Sequence, residues 1–168
     1  AQRLAMGAAG VPNPELIGEV NYFTNDFNTE TKGVDVVATY GTDLFGGSTE
    51  FSAAYNYTKT EVSDQGSVTS DSKVKRLEEG LPNHRATFTM AQNWENVSAF
   101  VRANYFGEYY AVHADWFGTD ADAAVTVDME VTYMLNDSFD ISVGAQNILD
   151  QDAERINGSA GAVGEGVP

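Results

Sequence analysis

The sequence predicts an all-β protein, an antiparallel transmembrane β-barrel, present here as an incomplete segment of about seven to eight strands. Three observations predict it. Apolar and polar residues alternate from Gly33 to Asp150 in stretches of about ten residues, the period and length of strands that cross a bilayer at a tilt. Short joins (Trp94-Glu95-Asn96 and Asn136-Asp137) alternate with long ones (residues 63–80 and 111–122), as periplasmic turns alternate with extracellular loops. Tyr55, Tyr57, Trp94, Tyr105 and Tyr109 fall toward strand ends, where aromatic girdles meet lipid headgroups.

Taken in order, residues 2–9 read as a short helix, stopped by Gly10 and by Pro12 and Pro14. Residues 19–25 read as a strand that turns through residues 26–30. In residues 33–41, Val34, Val36, Ala38 and Tyr40 share a face, opposite Asp35 and Thr39, and a turn with paired glycines follows at 42–47. Residues 49–62 set Phe51, Ala53, Tyr55 and Tyr57 against Glu50, Ser52, Asn56 and Thr58. Residues 85–94 set Ala86, Phe88, Met90 and Trp94 against Arg85, Thr87, Thr89 and Asn93. Residues 97–110 set Val97, Ala99, Val101, Ala103 and Tyr105 against Ser98, Arg102, Asn104 and Glu108. The clearest strand, 125–135, puts Val125, Val127, Met129, Val131, Tyr133 and Leu135 opposite Thr126, Asp128, Glu130 and Thr132. Finally, Phe139, Ile141, Val143 and Ala145 alternate with Asp140, Ser142, Gly144 and Gln146.

Alternation also fits a soluble sandwich or a lipocalin-like ligand-binding barrel, with the apolar face turned inward. Small residues such as Ala53, Ala99 and Ala103 would fill such a core poorly, whereas lipid accommodates them. The 168 residues contain no cysteine, which removes disulfides, zinc-thiolate sites and cysteine nucleophiles. Nine basic against 25 acidic side chains give a net charge of -16 and argue against nucleic acid as a partner. No stretch approaches the ~18 apolar residues of a membrane-spanning helix, a test to which barrels are blind. Seven strands is an odd count, and open sheet edges in lipid cost several kcal/mol per unpaired group. The beginning, Ala1-Gln2-Arg3-Leu4, has no basic and apolar leader of the kind an exported barrel needs. The chain is therefore expected to be part of a larger barrel.

Several segments resemble one family. Thr31-Lys32-Gly33-Val34-Asp35-Val36-Val37 is similar to the T-K/R-G-V-D/E segment that opens a late strand in TonB-dependent outer-membrane receptors. Tyr22-Phe23-Thr24-Asn25, Ala54-Tyr55-Asn56-Tyr57-Thr58 and Leu77-Glu78-Glu79-Gly80-Leu81-Pro82 resemble neighbouring segments. The sharpest likeness is Val143-Gly144-Ala145-Gln146-Asn147-Ile148-Leu149-Asp150, which resembles the G-x-x-N-L-F-D that closes the penultimate strand, with Ile148 and Leu149 in place of the commoner Leu-Phe. The resemblance implies a 22-stranded barrel with an N-terminal plug, of which residues 1–168 would be the C-terminal part without plug, TonB-binding box or terminal strand. It implies a transport receptor in the outer membrane of a Gram-negative bacterium, not an enzyme. Its partners would be the lipid bilayer, the inner-membrane TonB complex and a scarce nutrient, either a ferric siderophore or similar iron complex or an oligosaccharide, held at the extracellular loops.

No catalytic, cofactor-binding or metal-binding residue is assigned, and no cofactor is implied. No G-x-S-x-G serine elbow occurs, although a hydrolase built on a barrel is a third possibility. His84 and His113 are single candidate metal ligands without a second ligand at fixed spacing, and read more simply as polar loop residues. Asp115, Asp120 and Asp122 cluster around Gly118 but lack calcium-loop spacing and read as a solvated acidic loop. Asp35, Glu50, Arg85, Arg102, Glu108, Asp128 and Glu130 are expected on a polar lumen wall, with Arg102 and Glu130 a candidate cross-strand pair. The glycosylation-like triplets at Asn56, Asn96, Asn136 and Asn157 read as chance. Ligand-binding residues are not assigned singly. The loops 63–80, 111–122 and 150–168 are the segments expected to meet a ligand.

Overall fold

A computed structural model describes residues 6–13, 16, 25–66, 69–111 and 118–152. The strands are β1 (Asn28–Leu44), β2 (Gly47–Ser63), β3 (His84–Asn93), β4 (Val97–Phe106), β5 (Tyr109–Ala111), β6 (Thr119–Ala121), β7 (Ala124–Asn136) and β8 (Phe139–Ala145), and one helix, α1 (Asp71–Glu79), lies between β2 and β3. Six strands form an up-and-down antiparallel sheet in the order β1-β2-β3-β4-β7-β8, while β5 and β6 form a separate two-stranded ribbon. The result is an open, incomplete wall of a β-barrel.

The register carries the alternation straight across the wall. Tyr40, Phe51, Met90, Val101 and Met129 form one row, and Ala38, Ala53, Phe88, Ala103 and Val127 form the next. Because every row keeps one parity, the middle of one face is an apolar band and the other face carries most of the polar partners. Among the described residues nothing covers the apolar face: Tyr40, Ile141 and Val143 are 64%, 56% and 72% exposed, and Ala111 and Ala121 are the buried hydrophobics. A soluble sandwich would bury this face, whereas a lipid-facing wall leaves it open. The apolar run on β1, from Val34 to Leu44, spans about eleven residues, the length that crosses the hydrocarbon core at a tilt. One pleat above it on the same face, Lys32 stands opposite Lys59, then Glu30 opposite Glu61. The β1–β2 hairpin therefore leaves the apolar band and continues beyond it.

The tight hairpin turns β1–β2, β3–β4 and β7–β8 all lie at one end. Leu44 pairs with Gly47 across Phe45 and Gly46, whose φ values of 52° and 75° are the doubly positive pair that a tight two-residue hairpin needs. A Cβ on Gly47 would lie 2.2 Å from the Asn93 carbonyl oxygen, so only glycine lets β3 approach here. Trp94 Nε1 donates to the Phe45 carbonyl at 2.9 Å, Gln92 Nε2 donates to that of Leu44 at 3.2 Å, and Thr49 Oγ1 donates to Gln92 Oε1. This network locks the first two turns together.

The structure departs from the sequence expectation mainly at strand ends and in the connections. The strand expected at 19–25 lies outside the described residues except for Asn25, which is not in a strand, and the turn expected at 26–30 is instead the start of β1 at Asn28. The loop 63–80 contains α1. The strand expected to run to residue 110 ends at Phe106, so Glu108 sits in the connection and leaves the lumen wall. The loop 111–122 supplies β6, while 112–117 lie outside the described residues. Near the N-terminus, residues 6–8 are helical as expected. The helix closes when Val11 N donates to the Met6 carbonyl and Gly10 N to that of Gly7, with Gly10 at φ 81°.

Candidate ligand-binding face

The long connections gather at the opposite end of the wall. Above Tyr57, β2 has no strand on its far side among the described residues, because its pairing with β3 stops at His84. Asn83 and α1 take that place: Thr58 N donates to the Asn83 carbonyl at 2.9 Å and Val62 N to Glu78 Oε1 at 2.7 Å. The sequence makes α1 locally. Ser70 caps its first turn by accepting from Lys73 N, Asp71 favours the positive end of the helix dipole, and Gly80 followed by Pro82 ends it. Asp26 anchors the preceding loop by accepting from Thr69 N at 2.5 Å and, through its carbonyl, from Gly66 N at 2.7 Å.

Lys75 ties the helix to the β5–β6 ribbon. Lys75 Nζ lies 2.6 Å from Asp120 Oδ1, 3.8 Å from Glu79 Oε2 and 4.2 Å from the centre of the Tyr110 ring. Its pKa is raised above 10.5, first by the hydrogen bond to Asp120. On the hairpin extension, Lys59 donates to Glu61 at 2.6 Å and Lys32 reaches Glu30 at 2.9 Å. The hydrogen bond from Lys59 is the main cause of the lowered pKa of Glu61, and the same bond raises that of Lys59. All these pairs are solvated, so they orient the rim more than they stabilise it.

The polar face carries Asp35, Glu50, Arg85, Arg102, Asp128 and Glu130, six of the seven residues expected on the lumen wall. A hydrogen-bonded seam crosses it. Asn104 Nδ2 donates to Thr126 Oγ1 at 3.3 Å and Asp128 Oδ2 at 3.2 Å, and its Oδ1 accepts from Thr87 at 3.2 Å. Asn56 Nδ2 donates to Asp35 Oδ1 at 2.7 Å. The expected Arg102–Glu130 pair is corrected: the register sets Asp128 opposite Arg102, and the guanidinium donates to Thr89 Oγ1 at 3.3 Å.

His84 is not a loop residue. It begins β3 at the upper edge of the apolar face, its Nδ1 is 2.7 Å from the Tyr55 hydroxyl, and its ring centre lies 4.9 Å from that of Tyr57. The pair Tyr55–Tyr57 with His84 and Tyr105 is thus an interfacial girdle. His113 and Asp115 lie outside the described residues, Asp120 is engaged by Lys75, and no group of three or more candidate metal ligands occurs among the described residues. Beyond β8, Asn147 adopts φ 49° while the chain stays beside β7. Its N–H donates to Asp128 Oδ1 at 2.9 Å, its Oδ1 accepts from Gln151 N at 3.0 Å, and Ile148 N donates to the Val127 carbonyl at 2.8 Å. Asparagine tolerates this backbone conformation better than most residues, which accounts physically for the Asn of the closing motif.

A wall apolar on one face and polar on the other, with tight turns at one end and folded relief at the other, has the layout of part of a transmembrane β-barrel. The chain belongs to the family described as TonB dependent receptor-like, beta-barrel, which matches residues 5–148. None of the curated proteins and none of the solved structures matches the chain. The family is one of outer-membrane transport receptors, not of enzymes.

Proposed function

We propose that this chain forms the C-terminal part of the barrel of a receptor that captures a scarce nutrient at the outer surface and imports it with energy supplied through TonB. The cargo would be an iron complex such as a ferric siderophore, or an oligosaccharide. The observation that carries the reading is the polarity of the wall's two ends. Turns of two or three residues close one end, while α1, the β5–β6 ribbon and the extended β1–β2 hairpin stand at the other, with a polar face beneath them. That is the layout of a surface that receives a ligand and passes it along a hydrated interior. The plug and the TonB-binding segment would belong to other parts of the receptor.

Deletion of the complete receptor gene, followed by uptake of labelled ferric siderophores and labelled oligosaccharides, tests this reading. Loss of uptake of one cargo, restored by the gene and abolished when the inner-membrane proton gradient is collapsed, is the expected result. Uptake of every cargo unchanged by the deletion, or a restored uptake indifferent to the gradient, would overturn it.

A further inference from the structure

We infer that the tight-turn end of the wall is a docking surface for a periplasmic protein with a basic face. The inference rests on the reading that this end looks into the periplasm. The first turn holds an aromatic ring where the turn does not call for one. Phe45 occupies the first central position of the β1–β2 hairpin at φ 52°, a conformation that Asn, Asp or Gly adopts readily and a bulky side chain does not. Trp94 Nε1 donates to the Phe45 carbonyl at 2.9 Å and so fixes the turn in place. The Phe45 side chain itself is left 72% exposed, more than the lipid-facing Tyr40 at 64%. Trp94 marks the lower headgroup level, where interfacial tryptophans sit. Gly47 packs beside Trp94, and Phe45 lies beyond Gly47 at the tip of the hairpin. The tip that carries this ring therefore stands past the apolar band.

Charge selects what covers it. The turns and the strand ends beside them carry Asp43, Glu95, Asp137 and Asp140, all exposed. Among the described residues the first Lys or Arg up the wall is Arg102, five residues of β4 above Val97, or about 17 Å. The ion pairs formed by described residues all lie at the opposite end, on the hairpin extension and on α1. The tight-turn end is thus a set of carboxylates with no cation beside them and an exposed aromatic ring in their midst. Lipid phosphates would be repelled by such a surface, whereas a basic protein face neutralises it. An aromatic side chain is also the kind of anchor that a protein interface buries at its centre. The contact is made by turns of the barrel wall and is separate from the TonB-binding segment, which would belong to another part of the receptor.

The test uses the complete receptor in living cells, with p-benzoylphenylalanine in place of Phe45 and crosslinking by light. The expected product is an adduct with a basic periplasmic protein, its yield reduced at least about fivefold when D43N/E95Q/D137N are added to the same receptor. That protein, once purified, should bind the parent receptor in nanodiscs, and should bind Phe45→Asn, whose side chain suits the turn, about tenfold more weakly. Adducts with lipid alone, no adduct, an adduct with a protein that is not basic, or binding unchanged in Phe45→Asn and in the triple variant would overturn the inference. A heat-modifiable band on gels confirms that each variant is folded. Asn96→Cys tells the two failures apart. Its labelling in intact cells by an impermeant thiol reagent would mean that the turns face outward, and the transport reading would fail together with this one. Its protection, with no adduct at position 45, would remove the docking surface alone.

Discussion

The wall and the rim of this chain are built on different physics. In the wall, backbone hydrogen bonds hold β2, β3, β4 and β7 to a neighbour on either side and β1 and β8 to one, and side chains only have to suit lipid on one side and water on the other. In the rim, β2 runs past the end of β3 and its free edge is finished by Glu78 and Asn83, while α1 and the β5–β6 ribbon meet largely through Lys75. The wall is consequently tolerant of side-chain identity but not of polarity on its outer face. The rim is tolerant of polarity but depends on a few named contacts.

The largest effect should follow from breaking the polarity of the wall. Val101 sits in the middle of the apolar band, so Val101→Arg is expected to cost about 2–4 kcal/mol of folding stability in lipid vesicles, while the same change at Tyr105, near the headgroups, costs about 0–1 kcal/mol. Equal costs at both depths would mean that this face does not look onto lipid. Next comes Gly47→Ala, whose methyl group would meet the Asn93 carbonyl; about 1–3 kcal/mol is expected, read from the urea midpoint of the refolded receptor. Asn104→Ala, which strips the polar seam, is expected to cost about 1–2 kcal/mol by the same measurement.

The rim effects are smaller and electrostatic. Lys75→Gln should leave the wall's stability unchanged but speed hydrogen exchange at Tyr110 and Ala121, and 1 M salt should do part of the same in the parent protein. The pH dependence has a definite sign. Glu61 is lowered below 4.5 by Lys59, so its contribution is present above 4.5 and is lost as pH falls through its folded value. Lys75 is raised above 10.5, so its contribution is present below 10.5 and is lost as pH rises through its folded value. Between these limits, exchange rates in the rim should not depend on the ionisation of either group.

The same contrast explains what could be read from the sequence. The strands of the wall were legible because the membrane imposes a period of two on every one of them, and β3, β7 and β8 fall within a residue or two of their expected bounds. The upper end of β1 was not, since beyond Lys32 no face needs to be apolar and the signal stops although the pairing with β2 continues. Helix α1 was hidden because only Val74 and Leu77 interrupt its polar surface. Its Ser70 cap and the Gly80-Leu81-Pro82 stop were the available cues. Individual rim contacts such as Lys75–Asp120 join residues 45 positions apart and depend on how two loops dock, which strand periodicity does not encode. Arg102 was placed on the correct face, but its partner needed the register, which the turn lengths set and the alternation does not.

The central claim is that odd-numbered residues of β4 face lipid and even-numbered ones face the barrel's hydrated interior. The described wall contains no cysteine, so single cysteines can be introduced along β4 in the complete receptor and spin-labelled in bilayers. Labels at Val97, Ala99, Val101, Ala103 and Tyr105 are predicted to be relaxed by oxygen, with the maximum near Val101. Labels at Ser98, Phe100, Arg102 and Asn104 should instead respond to a water-soluble nickel chelate. A uniform profile along β4, or the opposite alternation, would contradict the account.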